Sequence, residues 1–171
     1  DRVIMVDERG KEVDGDHLLA IAAMDLDRNG RLAKRTVVAT HYSNMGFDAA
    51  LGAVGIKVVR VENGDRYVIE AMRANGYTLG GEQSGHVIFT QWATTGDGVL
   101  TGLRLMAEVA RTKKSLAELT SVMKVYPQVL VNVRGVDKTK VDSNPALAAI
   151  VAEAEAELAS TGRVLLRASG T

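Results

Sequence analysis

Between residues 80 and 89 the chain reads GGEQSGHVIF. Glu82, Gln83, Ser84 and His86 put four hydrogen-bonding side chains into five positions, flanked and split by Gly80, Gly81 and Gly85. A carboxylate accepts hydrogen bonds, and a hydroxyl both gives and accepts them. Adjacent sugar hydroxyls need such mixed partners, and glycines let backbone come close to a ligand. His86 can donate to a phosphate or hydroxyl, or move a proton near neutral pH. By residue type alone, the stretch reads equally as a polar β-turn whose side chains satisfy local backbone groups. A sugar-binding role requires Ser84 and His86 to be reachable by a ligand.

Two weaker constellations lie at the ends. Arg167-Ala168-Ser169-Gly170-Thr171 joins a guanidinium, two hydroxyls and loop N–H groups, the parts of a phosphate cradle, and it also fits a surface turn. Asp1 is a carboxylate just before a strand pattern. It can serve a hard divalent cation, and a lone Asp there is otherwise a solvated residue. His41 and Ser43 sit where a strand meets a helix, a position that often faces ligands. His17, in the first turn of a helix, reads as a surface residue. The three histidines are too far apart for metal-ligand spacing. Gly64-Asp65 and Thr94-Thr95-Gly96-Asp97-Gly98 read as helix-capping turns.

The elements that hold these residues alternate. Strand patterns at 3–6, 36–39, 57–61, 77–79 and 87–89 are interleaved with helix patterns at 16–28, 47–54, 66–74, 99–111 and 116–123. Asp14-Gly15-Asp16 caps the first helix, Asn29-Gly30 ends it, and Asn75-Gly76 ends the third. This order predicts α/β layering, helices packed on a parallel or mixed sheet. Composition changes near Tyr126-Pro127, which makes 124–128 a linker. A strand at 129–133, an alanine-rich helix at 146–159 with Pro145 in its first turn, and a strand at 163–167 then read as the start of a smaller α+β unit.

The whole chain sets limits. It has 171 residues, 46% of them apolar, enough for one core or for one and part of another. Aromatics are 4%, so that core is built from aliphatic residues and Met. Lys+Arg and Asp+Glu both number 21, and a neutral chain gives no reason to expect nucleic acid or an anionic membrane as partner. The absence of cysteine excludes disulfides and thiolate metal sites. No apolar run reaches the roughly 18 residues of a membrane span. The opening DRVIMVDERG is a strand pattern rather than a signal peptide, and a cytoplasmic protein is the simplest reading. Both ends read as cut, so a fragment of a longer protein is expected.

Taken in order, Asp1-Arg2-Val3-Ile4-Met5-Val6-Asp7, Asp14-Gly15-Asp16, Ser43-Asn44-Met45-Gly46, Gly64-Asp65-Arg66-Tyr67-Val68, Gly81-Glu82-Gln83-Ser84-Gly85-His86, Thr95-Gly96-Asp97-Gly98 and the final Arg167-Ala168-Ser169-Gly170-Thr171 form a pattern. It resembles the C-terminal portion of the bacterial phosphoglucosamine mutases, a branch of the α-D-phosphohexomutase superfamily, along essentially the whole chain. The resemblance implies three segments: residues 1–13 as the end of a metal-binding second domain, 14–123 as a three-layer α/β/α sugar-binding third domain with a mixed sheet, and 124–171 as a linker and an incomplete phosphate-binding α+β fourth domain. It implies a phosphoserine enzyme that interconverts glucosamine 6-phosphate and glucosamine 1-phosphate through a hexosamine 1,6-bisphosphate, on the route to UDP-N-acetylglucosamine and peptidoglycan.

Residue by residue, Asp1 matches the last aspartate of an Asp-Gly-Asp-Gly-Asp-Arg magnesium loop, and Arg2 matches the arginine after it. Glu82, Ser84 and His86 match the sugar loop, with His86 and Arg2 in supporting catalytic roles. Arg167, Ser169, Gly170 and Thr171 match the loop that holds the non-reacting phosphate. The nucleophilic serine and the rest of the Mg2+ loop lie outside this sequence, so the chain alone is expected to be inactive. Its expected partners are a hexosamine phosphate and the N-terminal domains of the same protein, not nucleic acid or membrane. A phosphomannomutase or phosphoglucomutase, or a non-catalytic sugar-phosphate-binding module, is the alternative. In each case, residues 82–86 and 167–171 are expected to form opposite walls of one pocket.

Overall fold

A computed structural model describes residues 1–141 and 143–168. Ser169, Gly170 and Thr171 lie outside the described residues. The chain divides into two compact units, Asp1–Pro127 and Gln128–Thr171.

In the first unit a short antiparallel pair, β1 (Met5–Val6) with β2 (Glu12–Val13), opens the chain. Asp7 closes its turn, its Oδ1 accepting from the N–H groups of Arg9 and Lys11, both at 2.9 Å. Helix α1 (Gly15–Arg28) follows, capped by Asp14, whose carboxylate accepts from His17 N–H. Its residues Leu18, Leu19, Ala20, Ile21, Ala22, Ala23 and Leu26 are all buried. A helix apolar on nearly every side must be covered on nearly every side, and α1 is packed on two clusters at once.

The main sheet has the order β4 (Lys57–Val61), β3 (Thr36–Thr40), β5 (Leu79–Gly81), β6 (Val87–Phe89). Strand β3 is buried along its whole length and runs parallel to both neighbours, while β6 is antiparallel to β5. Side chains on a strand alternate between faces. Val37 and Ala39 join Phe89, Leu19 and Leu26 of α1, and Phe47 and Leu51 of α2 (Met45–Ala53) on one side. Val38 and Ile88 join Val68 and Met72 of α3 (Asp65–Asn75) on the other. The result is helix, sheet, helix: a three-layer α/β/α unit around a mixed sheet. Outside α1, the helices α4 (Gly98–Thr112) and α5 (Leu116–Thr120) add Leu105, Leu116 and Leu119 against Leu18, Ile21 and Val13. Ser115 and Glu118 form a reciprocal capping box on α5.

The second unit contains a helix, α6 (Pro145–Leu158), started by Asn144, whose Oδ1 accepts from the N–H groups of Ala146 and Leu147. The strand patterns at 129–133 and 163–167 have no ladder partner among the described residues. Val129, Leu130 and Val131 are exposed there, so the apolar run is present without the neighbour that would use it. The strand expected at 77–79 is displaced to Leu79–Gly81. Tyr77 N–H still bonds to Met72 O at 3.0 Å, so the end of α3 claims that residue first. No helix among the described residues is long and apolar enough to cross a membrane.

Candidate functional site

Because β3, β4 and β5 run parallel, their carboxyl ends share one edge of the sheet. The loops after them, 41–44, 62–64 and 82–86, therefore gather there. Helix α2 packs on one face of β3 and α3 on the other, which makes this edge a topological switch point, the usual ligand position in an open α/β sheet.

The 82–86 loop is rigidly built. Gly85 N–H bonds to Glu82 O at 3.0 Å, and Glu82 N–H to His86 O at 2.9 Å, closing a tight turn. Gly85 has φ +90, and a Cβ there would lie 2.1 Å from Val3 O, so both its conformation and its contact demand glycine. Val3 N–H bonds to Gly85 O at 3.1 Å, and Gly15 N–H, at the start of α1, bonds to Gln83 O at 2.9 Å. The first residues of the chain and the amino end of α1 thus hold the loop from both sides.

Glu82 Oε1 accepts from Gly64 N–H at 3.1 Å, which orients the carboxylate at the head of α3. Ser84 is exposed at the tip of the turn. His86 is buried, only 4% exposed. Its Nδ1 lies 2.5 Å from Asp1 Oδ1 and its Nε2 lies 3.9 Å from Asp65 Oδ2. Gly96 backs the ring so closely that a Cβ there would lie 2.4 Å from it. Among the described residues Nε2 is buried without a hydrogen-bond partner. A ligand can therefore reach Ser84 directly, whereas the His86 ring is enclosed by Asp1, Asp65 and Gly96, so the expectation that both be reachable holds for Ser84 and fails for His86, whose burial removes its ring from direct contact with a ligand. Asp1, Glu82, Ser84 and His86 are brought to one end of the first unit. Arg2 is exposed, its carbonyl lying against Gly98. Arg167 belongs to the second unit and is exposed there.

Two groups near this edge were hidden in the sequence. His17 is 5% exposed rather than on the surface, and its Nδ1 lies 2.7 Å from Asp14 Oδ1. Burial pushes the Asp14 carboxyl up, but hydrogen bonds from the His17 side chain and backbone outweigh it and hold the group below its ordinary value. The signal was there: an Asp three residues before a His at a helix start can cap and pair at once. Asp16 is fully buried, and its Oδ2 accepts from Asn44 N–H at 2.7 Å. Burial pushes its carboxyl up to about 6, against the opposing pull of Asn44 N–H and the Ser43 side chain. Nothing in the local sequence marks it, because Asn44 is 28 residues away.

At the far end of α1 a cleft of about 270 Å³ is lined by Asp25, Asn29, Arg31, Arg104, Glu108 and Arg111 among others. Arg104 Nη2 holds Asp25 at 2.9 Å, and Arg28 and Arg111 hold Glu108. Asp25 is pushed up by burial and by Glu108 beside it. These ion pairs tie α1 to α4. His41 Nε2 lies 3.8 Å from Glu62 across exposed loops. No group of three His, Cys, Asp or Glu among the described residues could by itself hold a metal.

The comparisons agree with this architecture. The phosphoglucomutase/phosphomannomutase alpha/beta/alpha domain III family matches residues 14–126, and the C-terminal domain of the same family matches 130–171. The chain is 60% identical over all 171 residues to a phosphoglucosamine mutase of Frankia alni, spanning 38% of that protein, and 55% identical to one of Clavibacter michiganensis subsp. michiganensis, spanning 39%. It thus spans well under half of these curated relatives, matching their C-terminal portion. Among solved structures, it superposes on 75% of its length with a phosphoglucomutase/phosphomannomutase family protein of Burkholderia thailandensis, TM-score 0.63 and 26% identity, covering 27% of that chain. The whole chain superposes on 44% of Aspergillus fumigatus N-acetylphosphoglucosamine mutase, solved with GlcNAc-6P and magnesium, with TM-score 0.81. At 21% identity that likeness bears on the fold alone. With a match over residues 14–126 and a layered fold to accompany it, the chain belongs to the phosphoglucomutase/phosphomannomutase family.

Proposed function

We propose that this chain is the C-terminal part of a cytoplasmic phosphoglucosamine mutase that interconverts glucosamine 6-phosphate and glucosamine 1-phosphate through a phosphoserine and a hexosamine 1,6-bisphosphate. The observation that carries the reading is the 82–86 loop. It sits at the carboxyl edge of three parallel strands, with Ser84 exposed at its tip and the Glu82 carboxylate oriented by Gly64 N–H at 3.1 Å. The 60% identity to a phosphoglucosamine mutase, at full coverage of this chain, supports the amino-sugar substrate over a neutral hexose.

In this reading residues 1–13 end a metal-binding domain, 14–123 form the sugar-binding domain, and 124–171 form the linker and part of a phosphate-binding domain. Glu82 accepts from sugar hydroxyls and Ser84 exchanges hydrogen bonds with them. Because both are acceptors and one is also a donor, the pair can serve a sugar turned end for end, as a bisphosphate intermediate requires. Arg167 with Ser169, Gly170 and Thr171 binds the phosphate that does not react. Arg2 adds a positive charge near the transferring group. Phosphoryl transfer of this kind depends on positioning and charge stabilisation.

His86 acts as a positioning residue, because its enclosed ring meets Asp1 rather than solvent. An imidazole N–H that donates to a carboxylate fixes how that carboxylate points. Asp1 is then held to offer one oxygen to Mg2+. In this reading the other ligands come from the rest of the longer protein. When bound, the ion would neutralise charge on the phosphoryl group.

The test is a coupled assay on the full-length protein, comparing glucosamine 6-phosphate with glucose 6-phosphate and mannose 6-phosphate. Preferred turnover of the amino sugar supports the proposal, and preferred turnover of a neutral hexose phosphate refutes it. The chain of 171 residues alone should show no turnover.

A further inference from the structure

The first unit ends with its chain strapped down at one point. The helix pattern that begins with α5 gives way at Met123, which is buried in the main core and whose N–H bonds to Thr120 O at 3.2 Å. Lys124 and Val125 are exposed, and the unit boundary falls after Pro127. Between them, Tyr126 is gripped on both backbone groups by one side chain. Asn44 Nδ2 donates to Tyr126 O at 2.9 Å, and Asn44 Oδ1 accepts from Tyr126 N–H at 2.9 Å.

The same Asn44 is fixed from behind. It is 3% exposed. Its Oδ1 also accepts from Gly46 N–H at 2.9 Å, capping α2, and its own N–H donates to the buried Asp16 at 2.7 Å. Its carbonyl accepts from Phe47 N–H at 3.0 Å. Next to it, Gly46 lies so close to Lys124 that a Cβ would sit 1.9 Å from Lys124 O. Among residues 124–126 these are backbone contacts of one loop, 43–46, with a segment about 80 positions later.

We propose that Asn44 is a positioning residue that sets where the chain leaves the sugar-binding unit: its carboxamide clamps Tyr126, so that the chain is held to the 43–46 loop up to that residue. A carboxamide suits the task because it presents one donor and one acceptor in a fixed plane, matching the C=O and N–H of a single residue. The description of this unit as sugar-binding rests on the proposed mutase reading, and the clamp itself does not.

The experiment uses the full-length protein and reads hydrogen exchange residue by residue. Asn44→Ser keeps a good helix cap for α2, but a single hydroxyl cannot bridge both backbone groups of Tyr126. Tyr126 amide exchange should rise about ten-fold or more while the amides of α2 stay within about three-fold. Gly46→Ala, ordinarily favourable inside a helix, should raise Tyr126 exchange in the same way by pushing Lys124 aside. In both variants KM for glucosamine 6-phosphate should rise more than kcat falls. Unchanged Tyr126 exchange in both variants overturns the proposal, as does a uniform rise across the whole core. If the wild-type protein turns over no hexosamine phosphate, the mutase reading fails while the exchange result still decides the clamp.

Discussion

Asp16 offers a direct test of the electrostatics at the carboxyl edge. Its folded carboxyl is pushed up to about 6 from an ordinary 3.8, first by burial and despite the hydrogen bond from Asn44 N–H. A raised acid binds its proton more tightly in the folded state. Its contribution to stability is therefore fully present below pH 3.8 and is lost as pH rises through about 6. The gap between 3.8 and about 6, at about 1.4 kcal/mol for each pH unit, comes to about 3 kcal/mol. Asp16→Asn keeps an acceptor for Asn44 N–H and removes the ionisation. At pH 7.5 the variant should be more stable than wild type by about 1–3 kcal/mol, part of the gain being spent on the new amide N–H groups. That advantage should shrink by about 2–3 kcal/mol on going down to pH 4. Trp92, the single tryptophan, lies in the first unit with its ring 5.9 Å from Phe89, so its fluorescence follows that unit's unfolding in urea. Asp25 also titrates, but it does so in both proteins and drops out of the difference, and Asp14, whose charge helps to raise Asp16, is held below its ordinary 3.8 and stays charged through the range from pH 4 to 7.5. A difference between variant and wild type that stays flat from pH 4 to 7.5 would refute the reasoning.

Gly96→Ala should force the His86 ring aside, since the added Cβ would lie 2.4 Å from it. Overpacking of that kind costs about 1–3 kcal/mol, read as a lower urea midpoint, and the full-length protein should lose activity through kcat. Ser84→Ala should leave the urea midpoint unchanged because the residue is exposed. It should lower kcat/KM for glucosamine 6-phosphate by about 2- to 13-fold, the worth of one neutral hydrogen bond of about 0.5–1.5 kcal/mol. Phe47→Ala, at a fully buried ring between α1 and the sheet, should cost about 3–5 kcal/mol, checked by the same urea titration.

What could be read from the sequence was local. Asp14 before α1, Asp97 before α4 and Asn144-Pro145 at α6 each announce a helix with a cap that the structure uses. The alternation of strand and helix gave the layered α/β/α class because each crossover from β3 onwards must cover one face of the sheet. The strand at Leu79–Gly81 was misplaced by two residues, since the hydrogen bond from Tyr77 N–H back to Met72 O cannot be seen from β-propensity. The 129–133 pattern promised a strand on its apolar, β-branched run alone, and a strand also needs a partner.

The site divides along the same line. Glu82 and Ser84 were legible because a short glycine-flanked loop carries its chemistry within itself. The partners of His86, Asp16 and Asn44 lie 85, 28 and 82 residues away, so their roles depend on which loops the sheet edge collects. His86 shows the consequence most sharply. By residue type it was a group to meet a ligand, yet Asp1 and Gly96 close around its ring and turn it toward the start of the chain. A loop that exposes Ser84 while leaving His86 only 4% exposed divides contact from support: one side chain is open to a ligand, and the other holds the Asp1 carboxylate beside the loop.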